Sequence, residues 1–566
     1  MPTIKNFKVM IKNKFVYVIA GLTLFGATAC KKELNVGNPN VPTLAANVNT
    51  ESGLLAFAQG SVFIDGFVNG DGWLGSTYFS LPYGFQELLG DVVGADAANQ
   101  EISVLSVPDK VTTEDGTTIV NPNPQIPFLR EYNNRGATGA GDNVVYYQWL
   151  NMYALNNACN TILYVIPSIK FSGDATTKAN TVTAWAYWWK GYAYASIGSM
   201  YYSGLIIDDY NGASNHYLPH DSIIARSNYY FNQASTILSG ITSTADYTTV
   251  LTGLVPTDFQ QGHGGIPTPA QWIRNINTML ARNILINKLN PFVNGVVGAT
   301  ISKSSTSTMT SADWTNVLNY AKNGIQNGDV VFSGHSSSTN AIISPGGGTA
   351  SALTTGTNTN TTFKISERFT QNFKTGDKRF TNNFSTATQY NNPSFTTRYS
   401  IISGGNGAAN VYVYGDNDAG AYECYIAGSY EENALMLAEA NIMTGSIDAG
   451  LAYVDAVRAY QGAGVAAVSG TGLSQAKAMG ELTKERRVAL PFRGLSFYDS
   501  RRWGWSYAIA NGGGSYGNTF VIASTTKVYT NTTIDYDFLD YWDVPADESV
   551  LNPPGSGSAA TVNPNF

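Results

Sequence analysis

The sequence of 566 residues carries little charge of either sign. Lys, Arg, Asp and Glu make up 13% of it, about half of the roughly 25% found in ordinary soluble domains. Disordered proteins are rich in charge and poor in aromatic residues, whereas this chain is 12% aromatic. Its 33 basic and 40 acidic residues give a net charge of −7, so the basic character of a nucleic-acid binder is missing. We therefore expect a folded chain that does not bind nucleic acid.

Motifs for metal binding and catalysis are also scarce. His216 and His220 are four residues apart, but Pro219 prevents a shared helical face, and no H-E-x-x-H zinc motif is present. The stretch 416–420 resembles half a calcium loop without the distal Glu. The G-x-S-x-G pattern at 513–517 lacks the flanking strand and helix of a nucleophile elbow. These patterns give no positive support for a metal site or a catalytic centre; a calcium site at 416–420 stays open, and so does a carboxylate pair for glycoside hydrolysis, because its spacing is only spatial.

The N-terminal region has the layout of a secretory signal peptide. Four lysines precede the apolar stretch Phe15–Ala29, and no acidic residue occurs before Glu33. The stretch is too short for a comfortable membrane span, and no run of eighteen apolar residues follows elsewhere. It ends Ala-Thr-Ala before Cys30, which is the lipobox layout of bacterial lipoproteins. We predict a signal peptide at 1–29 and a lipid anchor on Cys30; an ordinary signal peptide with an incidental Cys is the alternative.

Only two other cysteines occur in the chain. Cys159 lies in an apolar helical stretch, which is typical of a small core residue. A disulfide between Cys159 and Cys424 stays open, and a core of this size does not require one.

Helical periodicity dominates the chain. Pro167 ends one helix. The next helix carries an aromatic stripe that could stack on sugars, although a helix–helix seam is the favoured interpretation; its residues are Trp185, Trp188, Trp189 and Tyr192. The helices come as hairpin-sized pairs, so we predict a mostly α, tetratricopeptide-like scaffold, without a clean 34-residue period. The predicted helices are 145–166, 178–202, 226–240, 269–289, 311–327, 428–444, 447–461 and 474–490.

Long polar segments separate these helices. They are rich in Thr, Ser, Asn and Gly and contain short strand-like runs such as Val411–Tyr414. Loops of this length are uncommon in compact proteins unless they are functional. The sequence therefore predicts an irregular second layer in the segments 68–143, 243–268, 333–427 and 505–566.

Residues 485–504, ERRVALPFRGLSFYDSRRWG, carry a recognisable pattern. They resemble the signature of the SusD/RagB family, roughly ERR-x-E-L-x-F-E-G-x-R-x-x-D-L-x-R-W-G. Arg493 stands where the family usually has Glu, and Ser496 where it often has Arg. The matching residues are Glu485, Arg486, Arg487, Leu490, Phe492, Gly494, Asp499, Arg502, Trp503 and Gly504.

Further blocks resemble the same family in the same order. Lys32-Glu33 is similar to the surface-export tag of Bacteroidota lipoproteins, and the end of the chain resembles the family's P-I-P-x-x-E and final N-P-x-aromatic motifs. The resemblance therefore spans nearly the whole chain. The other blocks are 153–160, 376–379, 439–440 with 455–458, 544–548 and 563–566.

The resemblance implies one large mature SusD-like unit, 30–566, with an N-terminal part of 30–330 and a RagB/SusD part of 331–566. The arginines of the signature can form bidentate pairs with carboxylates and fix the last helix against the repeats. We therefore predict that Arg486, Arg487, Arg501 and Arg502 pair with Glu485 and Asp499. In this interpretation the recognisable residues report the fold and leave the ligand open.

The resemblance also implies a function. SusD-like proteins are outer-membrane lipoproteins that face the cell exterior, bind a nutrient and act as the lid of a SusC-like TonB-dependent transporter, without catalysis or a cofactor. The ligand is usually an oligosaccharide and sometimes a peptide. We expect a glycan, with a peptide or another nutrient as the alternative and a surface enzyme or structural protein as the least favoured one. The low charge favours an uncharged glycan.

Ligand residues are expected on loops away from the helical repeats, as the resemblance implies. The comparable segments are 68–135 and 333–414. Sugar binding needs flat aromatic faces and planar polar groups, and loop packing is the alternative role for each residue. The candidates are Trp73, Tyr78, Phe128, Arg130, Tyr132, Asn133 and Tyr390.

Overall fold

The computed structural model describes most of the chain from Val48 onward. No helix in the described ranges combines the length and the apolar character needed to cross a bilayer. The ranges are 48–67, 85–95, 107–121, 123–134, 144–289, 309–335, 363–386, 396–416, 418, 421–522 and 527–564.

Helices form most of the regular structure. All eight predicted helices are present, with ends that differ by a few residues from the expected ones. The helices are α1 Glu51–Phe67, α2 Phe85–Leu89, α3 Gln125–Tyr132, α4 Val144–Val165, α5 Ala175–Met200, α6 His220–Ser239, α7 Thr244–Leu254, α8 Pro269–Asn287, α9 Ser311–Lys322, α10 Glu367–Thr370, α11 Lys378–Asn383, α12 Tyr430–Met443, α13 Ile447–Tyr460, α14 Gln475–Ala489, α15 Ser496–Arg502 and α16 Ala546–Leu551.

Local signals fix where several of these helices begin. The Asp174 side chain accepts a hydrogen bond from the Thr177 amide at the start of α5. Thr268 and Gln271 form a capping box before α8, whose first residue is Pro269. Such caps satisfy amide groups that the first helical turn leaves without partners.

The helices pack as successive hairpins. Helix α5 lies between α4 and α6, α8 packs on α6 and α9, and α12 contacts α9, α13 and α14. Glycine allows the closest approach: a Cβ added at Gly191 of α5 would lie 2.6 Å from the Phe231 ring of α6. The predicted tetratricopeptide-like helical scaffold is confirmed.

Large aromatic side chains fill the seam between the helices. Trp185, Trp188 and Trp189 of α5 are fully buried. The ring of Trp272 from α8 lies 6.2 Å from that of Trp185 in an edge-to-face arrangement, and the Phe332 ring lies 4.4 Å from that of Trp188. The stripe therefore belongs to the core, as the favoured interpretation held, because no ligand can reach its rings.

Short antiparallel strands form the second layer. In one four-stranded sheet, Lys110–Thr112 pairs with Lys527–Asp535 at the centre, and Thr118–Val120 and Ser515–Ile522 form the two edges. The strands are β1 Val93–Ala95, β2 Lys110–Thr112, β3 Thr118–Val120, β4 Ser203–Gly204, β5 Leu218–Pro219, β6 Phe332–His335, β7 Phe363–Ile365, β8 Phe384–Thr386, β9 Tyr399–Ile401, β10 Glu423–Ala427, β11 Ser515–Ile522 and β12 Lys527–Asp535.

The polar segments hold more regular structure than predicted. Helix α7 lies inside 243–268, and Ser515 of the G-x-S-x-G pattern opens strand β11. Conversely, the expected strand at Val411–Tyr414 is wrong. Its backbone amides bond to the Gln461 carbonyl and the Asn383 side chain instead of to a neighbouring strand.

Candidate functional site

The strand pair β6–β10 places four polar side chains on one face. In its antiparallel register Glu423 lies opposite His335, and Tyr425 lies opposite Ser333. Alternate residues of a strand share a face, and directly opposed residues of two strands share it too. These four residues are therefore neighbours although 90 residues separate the two strands in sequence.

A histidine from a tight turn completes this group. The backbone amide of His263 donates to Glu423 Oε1 at 2.8 Å, and its Nδ1 lies 2.8 Å from Glu423 Oε2. Tyr425 Oη lies 2.9 Å from Nδ1, and Oη of Tyr460, at the end of α13, lies 2.8 Å from Nε2. Ser333 Oγ donates to Glu423 Oε1 at 2.6 Å. We call these five residues, His263, Ser333, Glu423, Tyr425 and Tyr460, the His263 cluster.

The His263 cluster joins an imidazole, a carboxyl group and two neutral phenols. The hydrogen bond to Glu423 raises the pKa of His263. Burial opposes the ionisation of Glu423, but the hydrogen bonds from His263 and Ser333 outweigh it and lower the pKa of that carboxyl. Burial raises the pKa of Tyr460 to about 12 and that of Tyr425 well above its usual range. Both hydroxyls therefore stay protonated near neutral pH and can donate as well as accept.

An arginine packs against the Tyr425 ring of the cluster. The Arg493 guanidinium lies 4.0 Å from the centre of the Tyr425 ring and donates to both carboxylate oxygens of Glu431, at 2.9 and 3.0 Å. Glu431 also accepts a hydrogen bond from Gln461. The Arg493 guanidinium thus holds the Tyr425 ring in place, whereas 44% of the His263 side chain is exposed. The arrangement is a preformed surface that can exchange hydrogen bonds with a polar ligand.

The described residues offer no obvious metal centre. No group of three or more His, Cys, Asp or Glu side chains in these ranges is arranged to hold an ion. Cys159 and Cys424 are both buried free thiols, so they do not form a disulfide with each other. Burial raises the pKa of Cys159 to about 12, which leaves it an unreactive core residue.

Part of the predicted ligand site lies on helix α3. Arg130 Nε donates to Asp543 Oδ2 at 3.0 Å, and its Nη2 donates to the Asn563 carbonyl at 2.7 Å. The Asn133 side chain donates to the Val544 carbonyl and accepts from the Ala546 amide. These contacts connect α3 to the C-terminal segment.

The aromatic candidates of α3 lie beside each other. Phe128 is buried, and its ring centre lies 4.5 Å from that of the half-buried Tyr132. Direct ligand contact of Phe128, Arg130, Tyr132 and Asn133 remains a prediction. The other candidates, Cys30, Trp73, Tyr78 and Tyr390, lie outside the described residues.

Comparison with known proteins relates one part of the chain to a known family. Residues 430–554, which hold Glu431, Tyr460 and Arg493, match the sequence model of the SusD family. The match relates this C-terminal part of the chain to the SusD family. No curated protein matches the chain in sequence.

Solved structures share the fold of this protein. A SusD superfamily protein from Parabacteroides distasonis ATCC 8503 is 13% identical with a TM-score of 0.53, over 89% of this chain and 98% of that one. A protein from Bacteroides vulgatus ATCC 8482, whose name refers to sugar binding, is 14% identical with a TM-score of 0.53, over 92% of this chain and all of that one. At such identities the likeness establishes the architecture.

The family signature builds a buried ion-pair network. Asp499 accepts from Arg486 Nε at 2.9 Å and from Arg502 Nε at 2.7 Å. Arg502 also donates to Glu439 of α12 at 2.8 Å. Burial disfavours the ionised Asp499, yet the two guanidinium groups hold its pKa below the usual range. The predicted pairing of these arginines with Asp499, which ties α15 to the repeats, is confirmed.

The remaining signature contacts differ from the prediction. Glu485 pairs with Arg379 and Arg458, at 2.7 and 2.8 Å, because its face of α14 is turned toward α11 and α13. Arg487 donates to the carbonyls of Gly90 and Asp91. Arg501 likewise donates to backbone carbonyls, those of Ser199, Ile286 and Asp540. These two arginines join segments that are distant in sequence by satisfying carbonyl groups.

No local sequence pattern pointed to the His263 cluster. Its residues come from a turn, two short strands and a helix end, and each is unremarkable in its own segment. The one available signal was Arg493, a departure from the family signature that the structure explains by its pair with Glu431.

Proposed function

We propose that this protein binds a neutral oligo- or polysaccharide at the cell surface and does not cleave it. The observation that carries the proposal is the family match of residues 430–554. The name of the Bacteroides vulgatus protein with the same fold, which refers to sugar binding, supports the same ligand class. The 13% charge of the chain favours an uncharged ligand.

The His263 cluster has the chemistry that such a ligand requires. A sugar presents hydroxyl groups that both donate and accept, and it binds best to groups whose positions are fixed in advance. Tyr425 and Tyr460 supply neutral hydroxyls, Glu423 supplies acceptors, and His263 supplies an exposed flat ring. In our proposal the ligand hydroxyls form hydrogen bonds with these groups on the polar face of the β6–β10 pair.

The candidates from the sequence complete the proposed site. Trp73, Tyr78 and Tyr390 would add aromatic faces for the apolar side of a pyranose. Phe128, Arg130, Tyr132 and Asn133 stay proposed ligand contacts where α3 meets the C-terminal segment.

We further propose a location and a partner. Lipidation of Cys30 would anchor the protein to the outer membrane, facing the cell exterior. There it would act as the lid of a SusC-like TonB-dependent transporter, and ligand contacts would bias the hinge toward closure so that the sugar is handed over. The SusD-family match of residues 430–554 supports this role. Cross-linking in intact cells should join the protein to a large outer-membrane barrel, and recovery of the uncross-linked protein alone would contradict the lid role.

Native gels that contain polysaccharide test the ligand class directly. We expect soluble starch, xyloglucan, galactomannan or laminarin to retard the protein, and polygalacturonate to retard it less. Calorimetry with a mixture of short peptides serves as the competing arm. Binding of peptides without retardation by any neutral polysaccharide would overturn the proposal.

A hydroxyl deletion tests the His263 cluster itself. Tyr460→Phe should raise the Kd for the retained polysaccharide about fivefold, since it removes one neutral hydrogen bond. Tyr430→Phe is the matched control, because its ring packs 4.9 Å from that of Tyr460 while its hydroxyl lies outside the cluster. Equal affinities for the two variants would exclude the cluster from the site.

A further inference from the structure

A second surface, remote in sequence from the His263 cluster, carries an exposed aromatic pair. Tyr164, one residue before the end of α4, keeps 64% of its surface exposed. Its ring stacks on that of Tyr210, with the centroids 4.3 Å apart and the planes 12° from parallel. A large aromatic side chain left this open gains little from burial, so packing of the core does not account for its position.

The turn that carries Tyr210 is firmly held. Asn156 and Asn160 of α4 donate to the Ile207 carbonyl at 2.7 and 3.0 Å, and the Gly212 amide closes the turn on the Asp209 carbonyl. Tyr210 is therefore presented on a fixed backbone, and the stacked pair forms a flat face before any ligand arrives.

The pair lines a cavity of about 600 Å³, which lies in the size range of small-ligand sites. Val48, Val165 and Pro167 give it an apolar wall, and Asn49 and Ser168 give it polar groups. Among the described residues, none forms a hydrogen bond with the Asn49 side chain.

The chemistry of this lining selects one class of ligand. No charged side chain borders the cavity among the described residues, so an ion would lose its hydration without gaining a counter-charge. A flat aromatic face beside an amide and a hydroxyl suits a molecule with an apolar face and polar edges, which describes a neutral pyranose. We infer that the Tyr164–Tyr210 pair is a second carbohydrate-binding platform, which adds a contact for longer glycan chains. This inference rests on the proposed glycan-binding function.

Truncation of the exposed ring tests the platform. In native gels with starch, xyloglucan, galactomannan and laminarin, Tyr164→Ala should raise the apparent Kd for the polysaccharide that retards the wild type by about tenfold, as for other aromatic anchors. Tyr164→Phe keeps the ring and should bind like the wild type. Tyr516→Ala is the matched control, since Tyr516 is 59% exposed on strand β11 and should leave retardation unchanged.

The outcomes separate the two proposals. If no polysaccharide retards the wild type, the glycan-binding function fails. If the wild type is retarded and Tyr164→Ala is retarded equally, the function stands and the platform is overturned. A thermal midpoint of Tyr164→Ala close to that of the wild type is expected. A large fall in that midpoint, matched by equal loss of binding in Tyr164→Phe, would show a structural role and also overturn the platform.

Discussion

Arg493 and Glu431 form a buried ion pair with two hydrogen bonds, of 2.9 and 3.0 Å, between positions 62 residues apart. Only 4% and 2% of their side chains are exposed. The pair joins the middle of the family signature to the start of α12, and it supports the Tyr425 ring of the His263 cluster. Arg493, at the position where the family usually has Glu, is thus accommodated by the Glu431 carboxylate and the Tyr425 ring.

Breaking this pair should cost considerable stability. Arg493→Met leaves the Glu431 carboxylate buried without a cation, so we expect a loss of about 3–5 kcal/mol in the free energy of unfolding. Replacing both residues with Met should recover most of that loss, because no charge is then left buried. Chemical denaturation measures both variants. Lys527→Met breaks an exposed pair with Asp115 and should not move the midpoint; a shift as large as that of Arg493→Met would refute this account of the buried pair.

The close approach of α5 and α6 predicts a second stability effect. Gly191→Ala places a Cβ 2.6 Å from the Phe231 ring, and overpacking of this kind costs about 1–3 kcal/mol. Gly480→Ala is the matched control, since Gly480 also lies in a helix, α14, but has open space around its Cβ position. That variant should gain about 0.5–1 kcal/mol from helix propensity. Thermal unfolding of the two variants should therefore shift in opposite directions, and a stabilised Gly191→Ala would contradict the packing described here.

A buried carboxyl group predicts a pH-dependent stability. Burial raises the pKa of Glu87 to about 8, and neither of its carboxyl oxygens has a hydrogen-bond partner among the described residues. Between the ordinary pKa of the unfolded chain and about pH 8, the folded state holds a proton that the unfolded state has lost, so stability falls as pH rises.

Glu87→Gln removes this dependence. Its stability relative to the wild type should rise between about pH 5 and pH 8 and then level off, with a slope of up to about 1.4 kcal/mol per pH unit. Denaturation at several pH values measures the difference. At about pH 3, well below the ordinary pKa of a Glu, both side chains are neutral in both states, so the difference there gives the baseline. A difference that stays constant across the whole range would show that Glu87 is ionised in the fold.

The sequence predicted the helices well because their signals are local. Periodic apolar residues and Pro167 were sufficient for α4 and α5. Helix α7 was missed although Tyr247, Val250, Leu251 and Leu254 have helical spacing, since its many Thr residues suggested a loop.

Contacts between distant segments were harder to predict. The pairing of Asp499 with Arg486 and Arg502 lies within 13 residues and was foreseen. Glu485 was assigned the wrong partners because Arg379 lies 106 residues away and reaches it only through the packing of α11 on the repeats. The His263 cluster was missed for the same reason, since its residues lie up to 197 positions apart in the sequence.

The lipid anchor is tested by one cysteine. Cys30→Ala should remove the acceptor of the lipid and release the protein from the membrane fraction. Cys159→Ala, which changes a buried thiol, is the control and should remain in the membrane fraction. Partition of Cys30→Ala with the outer membrane in cells that lack the transporter would contradict the anchor.

The central claim is that the protein captures a neutral glycan without cleaving it. Prolonged incubation with the polysaccharide that retards the wild type, followed by measurement of bound protein and newly released reducing ends, tests both parts in one sample. We predict saturable binding and no release of reducing ends. Sustained release of reducing ends, or the absence of binding to every neutral polysaccharide, would contradict the account.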